Sequence, residues 1–386
     1  MGDINARLDV LGAKLRHART LKRLTQEAAA NNLGIARTTL VAIEAGKRSI
    51  STQELRQLVE LYDISETDVL DQEEASIELD VQFRSSPSDK LASDEACVAS
   101  MLNRLANSTL QIEALLGRPH RPVDLPHIEV PKTGALERHA EDGAQSLRSR
   151  FGLGIGPIQN LWALMEFEMG LRLFERPLPS KIAGAVAFDE RFGGFVLLNS
   201  RHILPRRRVT AVHEAVHVFT RTTGIAVHFE GEQRPDRTEK FCDLLGVAFL
   251  TPAAAVRRKA KELKDMTGEF SVRQLLMLAL FFGVSIEAMT RRMEGLEMLP
   301  PNTYDAIRRQ GIGQAHRDHV AKEMTVQEEV GPFTPRTLLL ASSAYHRELL
   351  SEQQIASMLE LNLVDVRQAL ESSAGAKGEM VFDLAD

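Results

Sequence analysis

The chain has 386 residues, a length that suits two to four domains rather than one hydrophobic core. Its composition, 44% hydrophobic and 26% charged, is ordinary for a soluble globular protein, and two cysteines are too few for a disulfide framework. The most apolar stretch, Leu275 to Val284, is too short to span a bilayer, and the N-terminus carries charge and a helical pattern rather than a secretory signal. We therefore expect a cytoplasmic protein with no membrane partner. The net charge of −6 is unevenly spread: with ten Lys and Arg against seven Asp and Glu, residues 1–65 carry +3, which leaves −9 for the rest.

The basic N-terminal region, residues 8–65, has the periodicity of several short helices. Thr25 is a suitable N-cap for one of them, because its hydroxyl can accept a hydrogen bond from the first turn. Gly34 stands where a tight turn between two helices needs a left-handed residue. A second helix is predicted over residues 35–45. The pattern predicts a helix-turn-helix.

This stretch resembles the helix-turn-helix of phage-repressor and Cro-type regulators over about 55 residues. The resemblance implies a five-helix domain that binds a double-stranded DNA operator, as a homodimer because one such module contacts only a few base pairs. It implies that Arg37, Thr38 and Thr39 enter the major groove, with Arg37 able to contact guanine through two hydrogen bonds. The residues expected on phosphate are Gln26, Lys47 and Arg48. The alternative is a small helical module that binds another protein.

Residues 66–136 are predicted to connect this module to the main body. The chain is acidic up to residue 80, and the following Ser85-Ser86-Pro87-Ser88 is typical of a flexible joint. Residues 90–116 return to a helical pattern that suits a dimerisation element or a packing arm. A second break, residues 117–133, contains four prolines and leads into the next domain.

The strongest chemical signal is His213-Glu214-Ala215-Val216-His217, within a helix predicted from Arg207 to Thr223 and ended by Gly224. Histidines at i and i+4 lie on one face of a helix and can bind one Zn²⁺, and Glu214 beside the first can act as a general base. Short apolar runs at 170–174, 182–188 and 195–198 predict strands, the last two as a hairpin. A small antiparallel sheet followed by this helix is similar to the core of zincin metallopeptidases.

A second segment, Glu239 to Pro252, resembles the second signature of the ImmA/IrrE metallopeptidase family. By this resemblance Glu239 is the third zinc ligand, as in gluzincins. Asp243 stands where the family usually has asparagine, one turn from Glu239, and could orient a ligand histidine. Cys242 stands where alanine is usual; it is either a small buried thiol or a group that approaches the metal.

Two alternatives to this ligand set stay open. His228, expected in a polar loop between the two helices, is the rival third ligand. Glu239 is also spaced from Asp236 as in a capping box, so its role could be confined to the start of the helix. Likewise, the histidines could form a metal-free helix face.

Residues 301–386 are predicted to form a helical C-terminal domain after the zincin-like domain of residues 137–300. Ser351 begins a capped helix, and a turn at Asn362 precedes another helix over 364–370. This pair has a helix-turn-helix shape, but Arg367 is the sole basic residue of its last helix, so a packing or partner-binding role is favoured over DNA binding.

The resemblances together imply a mainly α chain with a small antiparallel sheet (α+β), acting as a DNA-binding regulatory zinc peptidase. Regulators of this kind control mobile elements and stress responses by cutting a repressor protein. The implied substrate is a repressor, or this chain's own hinge, and the implied location is the nucleoid. The alternative is a transcription regulator whose zincin-like domain senses or binds without cleaving.

Overall fold

We describe a computed structural model of the chain. It describes residues 11–12, 15–16, 18–20, 22, 24–48, 50–62, 64, 89–117, 124–221, 224–229, 237–323 and 331–373. For 89–92, 224–226, 228, 229, 314, 315 and 323 this covers the backbone alone. The chain forms two compact units: residues 1–78 with 85–103, and residues 79–84 with 104–386. The domain boundaries expected from the sequence stay predictions.

The first unit contains three complete helices among its described residues before residue 65: α1 (Gln26–Asn32), α2 (Arg37–Glu44) and α3 (Thr52–Tyr62). The predicted N-cap is confirmed, since the Thr25 hydroxyl accepts from the amide of Ala28. Gly34 has φ of +65° in the turn between α1 and α2, as the sequence predicts. The remaining helices of the expected five fall partly or wholly outside the described residues.

The core of this unit is a small apolar cluster, and a buried ion pair lies in the same unit. Its apolar side chains come from all three helices and from the chain before them; they include Leu15, Ala29, Leu40, Ile43, Leu58 and Tyr62. Arg19 donates to both carboxylate oxygens of the buried Glu44, at 2.6 and 3.1 Å. This pair fixes the end of α2 against the chain that precedes α1.

The next helix is the long α4 (Asp89–Leu115), which the sequence predicted over residues 90–116. The division between the two units falls within this helix.

The second unit is built around a four-stranded sheet. In chain order it begins with α5 (Leu136–Arg150), α6 (Leu161–Ala163) continuing as a π-helical turn (Leu164–Glu168), and the strands β1 (Arg172–Arg176), β2 (Ile182–Asp189) and β3 (Gly193–Asn199). The helix α7 (Leu204–Phe219) and the fourth strand β4 (Gly224–Phe229) follow, and then the helices α8 (Arg237–Leu250), α9 (Ala253–Thr267), α10 (Val272–Phe282) and α11 (Ile286–Gly295). The strand order is β1-β3-β2-β4.

The α+β class is confirmed, and so is the β2–β3 hairpin, but three expectations about this region were wrong. The sheet is mixed rather than antiparallel, because β1 lies beside β3 and runs parallel to it. Gly224 does not end the metal-motif helix; α7 ends at Phe219, and Gly224 begins β4. Residue 228 therefore lies on a strand, opposite Gly184 of β2, rather than in a loop.

The sheet and the helix α7 form two layers. α7 begins three residues earlier than predicted, with Pro205 in its first turn, where a fixed φ and a missing N–H cost nothing. Its residues 211–219 are all buried, and it packs on β2 and β3 on one side and on α8 on the other. α8 also packs along α5, so α7 lies in the middle of the unit.

The C-terminal helices are α12 (Thr303–Arg309), α13 (Gln314–Glu323), α14 (Pro335–His346), α15 (Glu352–Met358) and α16 (Leu363–Ser373). The capping box predicted at Ser351 is confirmed, with Gln354 as its partner. The last three helices share an apolar cluster with Ile112 and Leu116 at the end of α4. Arg367, the one basic residue of α16, is paired with Glu352 at 3.0 Å.

A buried carboxylate joins α14 to the π-helical turn. Glu166 accepts from the Thr334 hydroxyl and from the amide of Arg336, both at 2.7 Å, at the start of α14. Burial raises the pKa of Glu166 to about 7, although these hydrogen bonds and the positive charge of Arg336 act in the opposite direction. Arg336 also pairs with the buried Glu113 of α4, which in turn binds Arg172 of β1.

Among the described residues, no single helix has the length and apolarity needed to cross a bilayer. The pair α10 and α11, bent by 102° at the break between them, meets that test of length and composition when its two helices are taken together.

Candidate metal centre and DNA-facing helix

Three predicted ligand side chains meet between α7 and α8. His213 and His217 lie one turn apart on α7, and Glu239 comes from the first turn of α8. The His213 and His217 Nε2 atoms are 3.0 Å apart, and Oε2 of Glu239 lies 3.6 and 3.5 Å from them respectively. All three side chains are buried.

This triangle has the dimensions of a metal site. Ligand atoms 2.0–2.1 Å from a tetrahedral Zn²⁺ lie about 3.3 Å from one another, close to the three separations above. Two imidazole nitrogens and one carboxylate oxygen also form the donor set of catalytic zinc sites, which leave a fourth position open. The residues therefore fit a zinc ion both in geometry and in chemistry. Among the described residues, they form the one group of three such side chains close enough to share a metal.

Each ligand histidine has a different partner behind its ring. Nδ1 of His213 lies 2.8 Å from Oδ1 of Asp243, whose side chain is largely exposed. Nδ1 of His217 lies 3.8 Å from the sulfur of the buried Cys242. In both rings Nε2 is left to face Glu239. Of the two alternatives for Cys242, the small buried thiol is confirmed, since the sulfur is buried and lies at Nδ1 of His217 rather than at Nε2.

Burial lowers the pKa of His217, although Glu239 and Glu214 act to raise it. A lowered pKa favours the neutral imidazole, which is the form that binds a metal ion.

Glu214, the predicted base, lies beside the ligands with 0% of its surface exposed. It faces the sheet, where Gly184 of β2 makes room for it: a Cβ at that position would lie 3.3 Å from Oε1 of Glu214 and 2.8 Å from the Leu197 carbonyl oxygen. Gly184 is part of the site that sequence reasoning missed. A glycine inside a strand is a known sign of close approach by another group, but it does not say which group.

The side chain of His228, the rival ligand, lies outside the described residues. Asp236, the partner in the alternative capping box, lies outside them too.

The residues that the sequence predicts to enter the major groove lie on α2. Arg37 and Thr38 are exposed, while Thr39 is half-buried. Val41, one turn after Arg37, is 39% exposed on the same helix. An exposed apolar side chain on such a helix is able to contact the methyl group of a thymine.

The three residues expected to contact phosphate have different environments within the first unit. The Gln26 amide donates to Oε2 of Glu44 at 2.9 Å, so this side chain joins α1 to α2 within the unit. Arg48 forms an exposed pair with Glu54 at 2.8 Å, and Lys47 is exposed. Exposed pairs of this kind are weak and can be exchanged for a phosphate contact.

Two family models match the chain. A model of a helix-turn-helix domain matches residues 10–71, and a model of the IrrE N-terminal-like domain, a peptidase family, matches residues 168–294. The chain joins a helix-turn-helix domain to an IrrE N-terminal-like domain. Both resemblances found in the sequence are thereby confirmed. No curated protein matches the chain.

The IrrE N-terminal-like domain contains the whole sheet, α7 and α8, and hence both histidines and Glu239. The helix-turn-helix domain contains α1, α2 and α3. The chain is thus a DNA-binding regulator that carries a metallopeptidase-like domain, and three side chains of that domain lie close enough to share a metal ion.

Proposed function

We propose that this protein is a DNA-binding zinc metalloendopeptidase that controls transcription by cutting a repressor protein at a specific site, in a mobile-element or stress response. The observation that carries the proposal is the His213–His217–Glu239 triangle, whose sides match those of a tetrahedral zinc site. Glu214 follows His213 directly on the same helix. The helix-turn-helix domain favours double-stranded DNA as the place of action, hence the nucleoid, and a regulatory protein as the substrate. A dimer would give such a domain useful affinity.

His213, His217 and Glu239 would hold the zinc ion. When bound, the ion supplies Lewis acidity toward the scissile carbonyl and toward water. Asp243 would keep the proton of His213 on Nδ1, so that Nε2 presents its lone pair. Glu214 would take a proton onto a carboxylate oxygen from the attacking water and pass it to the leaving amine.

Substitution of the base tests this mechanism most directly. Glu214→Gln should keep zinc, because the ligands are untouched, but should abolish cleavage of a repressor encoded next to this gene. Purified wild-type and variant chains are compared by metal analysis and by mass spectrometry of the repressor after incubation. Continued cleavage by the variant would show that Glu214 is not the base. Cleavage within residues 66–136 of the chain itself would identify the hinge as the substrate.

A second function has its own support. All four side chains of the site are buried, and Glu214 completely so, whereas a protein substrate must reach the metal. This burial favours a regulator whose IrrE N-terminal-like domain senses or binds without cleaving. In that case Glu214→Gln would leave gene control unchanged, and Arg37→Ala would lose operator binding all the same. A reporter gene under the operator separates the two functions.

A further inference from the structure

The two ligand histidines are supported by groups of different chemistry. Asp243 behind His213 is an exposed carboxylate, which is the usual kind of partner for a metal-ligating histidine. Behind His217 stands the Cys242 thiol, buried on α8 one residue before Asp243. Cys242 and Asp243, consecutive residues of α8, thus contact the Nδ1 atoms of His217 and His213 respectively.

The direction of the hydrogen bond at His217 follows from its ligand atom. Nε2 of His217 points to Glu239 and to Nε2 of His213, so Nε2 must carry the lone pair when a metal is held. The ring proton is then on Nδ1, 3.8 Å from the Cys242 sulfur, and the sulfur is the acceptor. Sulfur accepts weakly, but the sulfur is buried with the ring, so water competes little with it.

We propose that Cys242 is a positioning residue for the metal centre: its sulfur accepts the Nδ1 proton of His217 and thereby selects the tautomer and ring orientation that bind zinc. The proposal rests on the proposed zinc site and adds the group that prepares His217 for it. Alanine at this position would delete the sulfur and leave Nδ1 without this acceptor. Serine would retain an acceptor.

The first measurement is zinc affinity, by competition with a chromophoric chelator on the full chain. Cys242→Ala should weaken zinc binding about tenfold, at the low end of what loss of a ligand's hydrogen-bond partner costs. Cys242→Ser should restore most of the affinity. Val256→Ala, which removes buried volume from the same core on α9, is the control for packing and should bind zinc as the wild type does.

The second measurement is the exchange with water of the Nδ1 proton of His217 in zinc-loaded protein, followed by ¹H–¹⁵N NMR. The wild type and Cys242→Ser should protect this proton, and Cys242→Ala should exchange it faster. Wild-type affinity with unchanged exchange in Cys242→Ala would overturn the inference. So would equal losses of affinity in Cys242→Ala and Val256→Ala. If the wild-type chain itself fails to bind zinc, the proposed function fails instead, which is a different outcome.

Discussion

The candidate metal centre and the helix α2, which is expected to face DNA, present their side chains in opposite ways. At the candidate metal centre, the three proposed ligands and the proposed base are buried between α7, α8 and the sheet, and their positions depend on the packing of these elements. On α2, by contrast, Arg37 and Thr38 project from the surface of one short helix whose other face is packed. A single substitution should therefore disturb several interactions at the metal centre but one contact on α2.

The largest expected effect is loss of a metal ligand. Glu239→Ala removes one of the three proposed protein ligands, so zinc affinity should fall by more than the roughly 100-fold that loss of a supporting group costs at most. The stabilisation of the folded chain by zinc should disappear with it. The melting temperature with and without chelator measures this, and Glu137→Gln, an exposed glutamate on α5 paired with Lys240, is the control. A variant that is still stabilised by zinc as strongly as the wild type would remove Glu239 from the ligand set.

A buried carboxylate away from the metal should give the next largest effect, as a pH dependence of stability. Because the pKa of Glu166 rises from 4.5 to about 7 on folding, its protonated form stabilises the folded state. This contribution is fully present below pH 4.5 and is lost as the pH rises through 7, a change on the order of 3 kcal/mol.

Glu166→Gln should remove this slope, since an amide can accept from the Arg336 amide without titrating. Urea unfolding of wild type and variant between pH 4 and 8 measures the difference. Parallel stability curves would show that Glu166 titrates alike in the folded and unfolded chains.

The exposed contact on α2 should have a smaller and more selective effect. Arg37→Ala should weaken operator binding by about 1–3 kcal/mol and relax the preference at one base pair, while zinc binding stays unchanged. Fluorescence anisotropy with operator variants measures both quantities. Arg56→Ala, which removes an exposed positive charge from α3, is the matched control. Equal losses for the two variants would indicate a general charge effect rather than base contact.

The smallest effect is expected at the exposed pair of Arg48 and Glu54. Arg48→Ala should change the free energy of unfolding by less than about 1 kcal/mol, because solvent screens the pair. If Arg48 exchanges Glu54 for a phosphate, the variant should also lower the salt dependence of DNA binding by about one charge. Measuring the affinity for DNA at several salt concentrations tests this. An unchanged slope of log affinity against log salt concentration would show that Arg48 does not contact phosphate.

Much of the fold could be predicted because its signals are local. Apolar periodicity located α7 and the β2–β3 hairpin, and capping residues such as Thr25 and Ser351 marked helix starts that the structure has. The neighbours of β1 were not predictable, since pairing with β3 depends on how the chain crosses the sheet rather than on the strand itself. β4 was missed because its six residues follow α7 closely and lack a long alternating pattern.

The same division applies to the candidate site. The i, i+4 spacing of His213 and His217 fixes their shared helix face, and a recognised second signature named Glu239 and Asp243 in advance. The thiol behind His217 and the glycine beneath Glu214 were not predictable. Both depend on the distance and rotation between α7 and its neighbours, which no spacing along the chain reports.

By itself, the sequence determined which side chains could hold a metal and which helix could contact DNA, because residue type and helical period are local properties. Tertiary structure alone decided the rest: that Glu239 reaches both histidines, that Cys242 lies behind one ring and Asp243 behind the other, and that Glu214 is enclosed. The physical reason is that such contacts join elements far apart in the chain, and close packing of helix on helix and helix on sheet sets their distances.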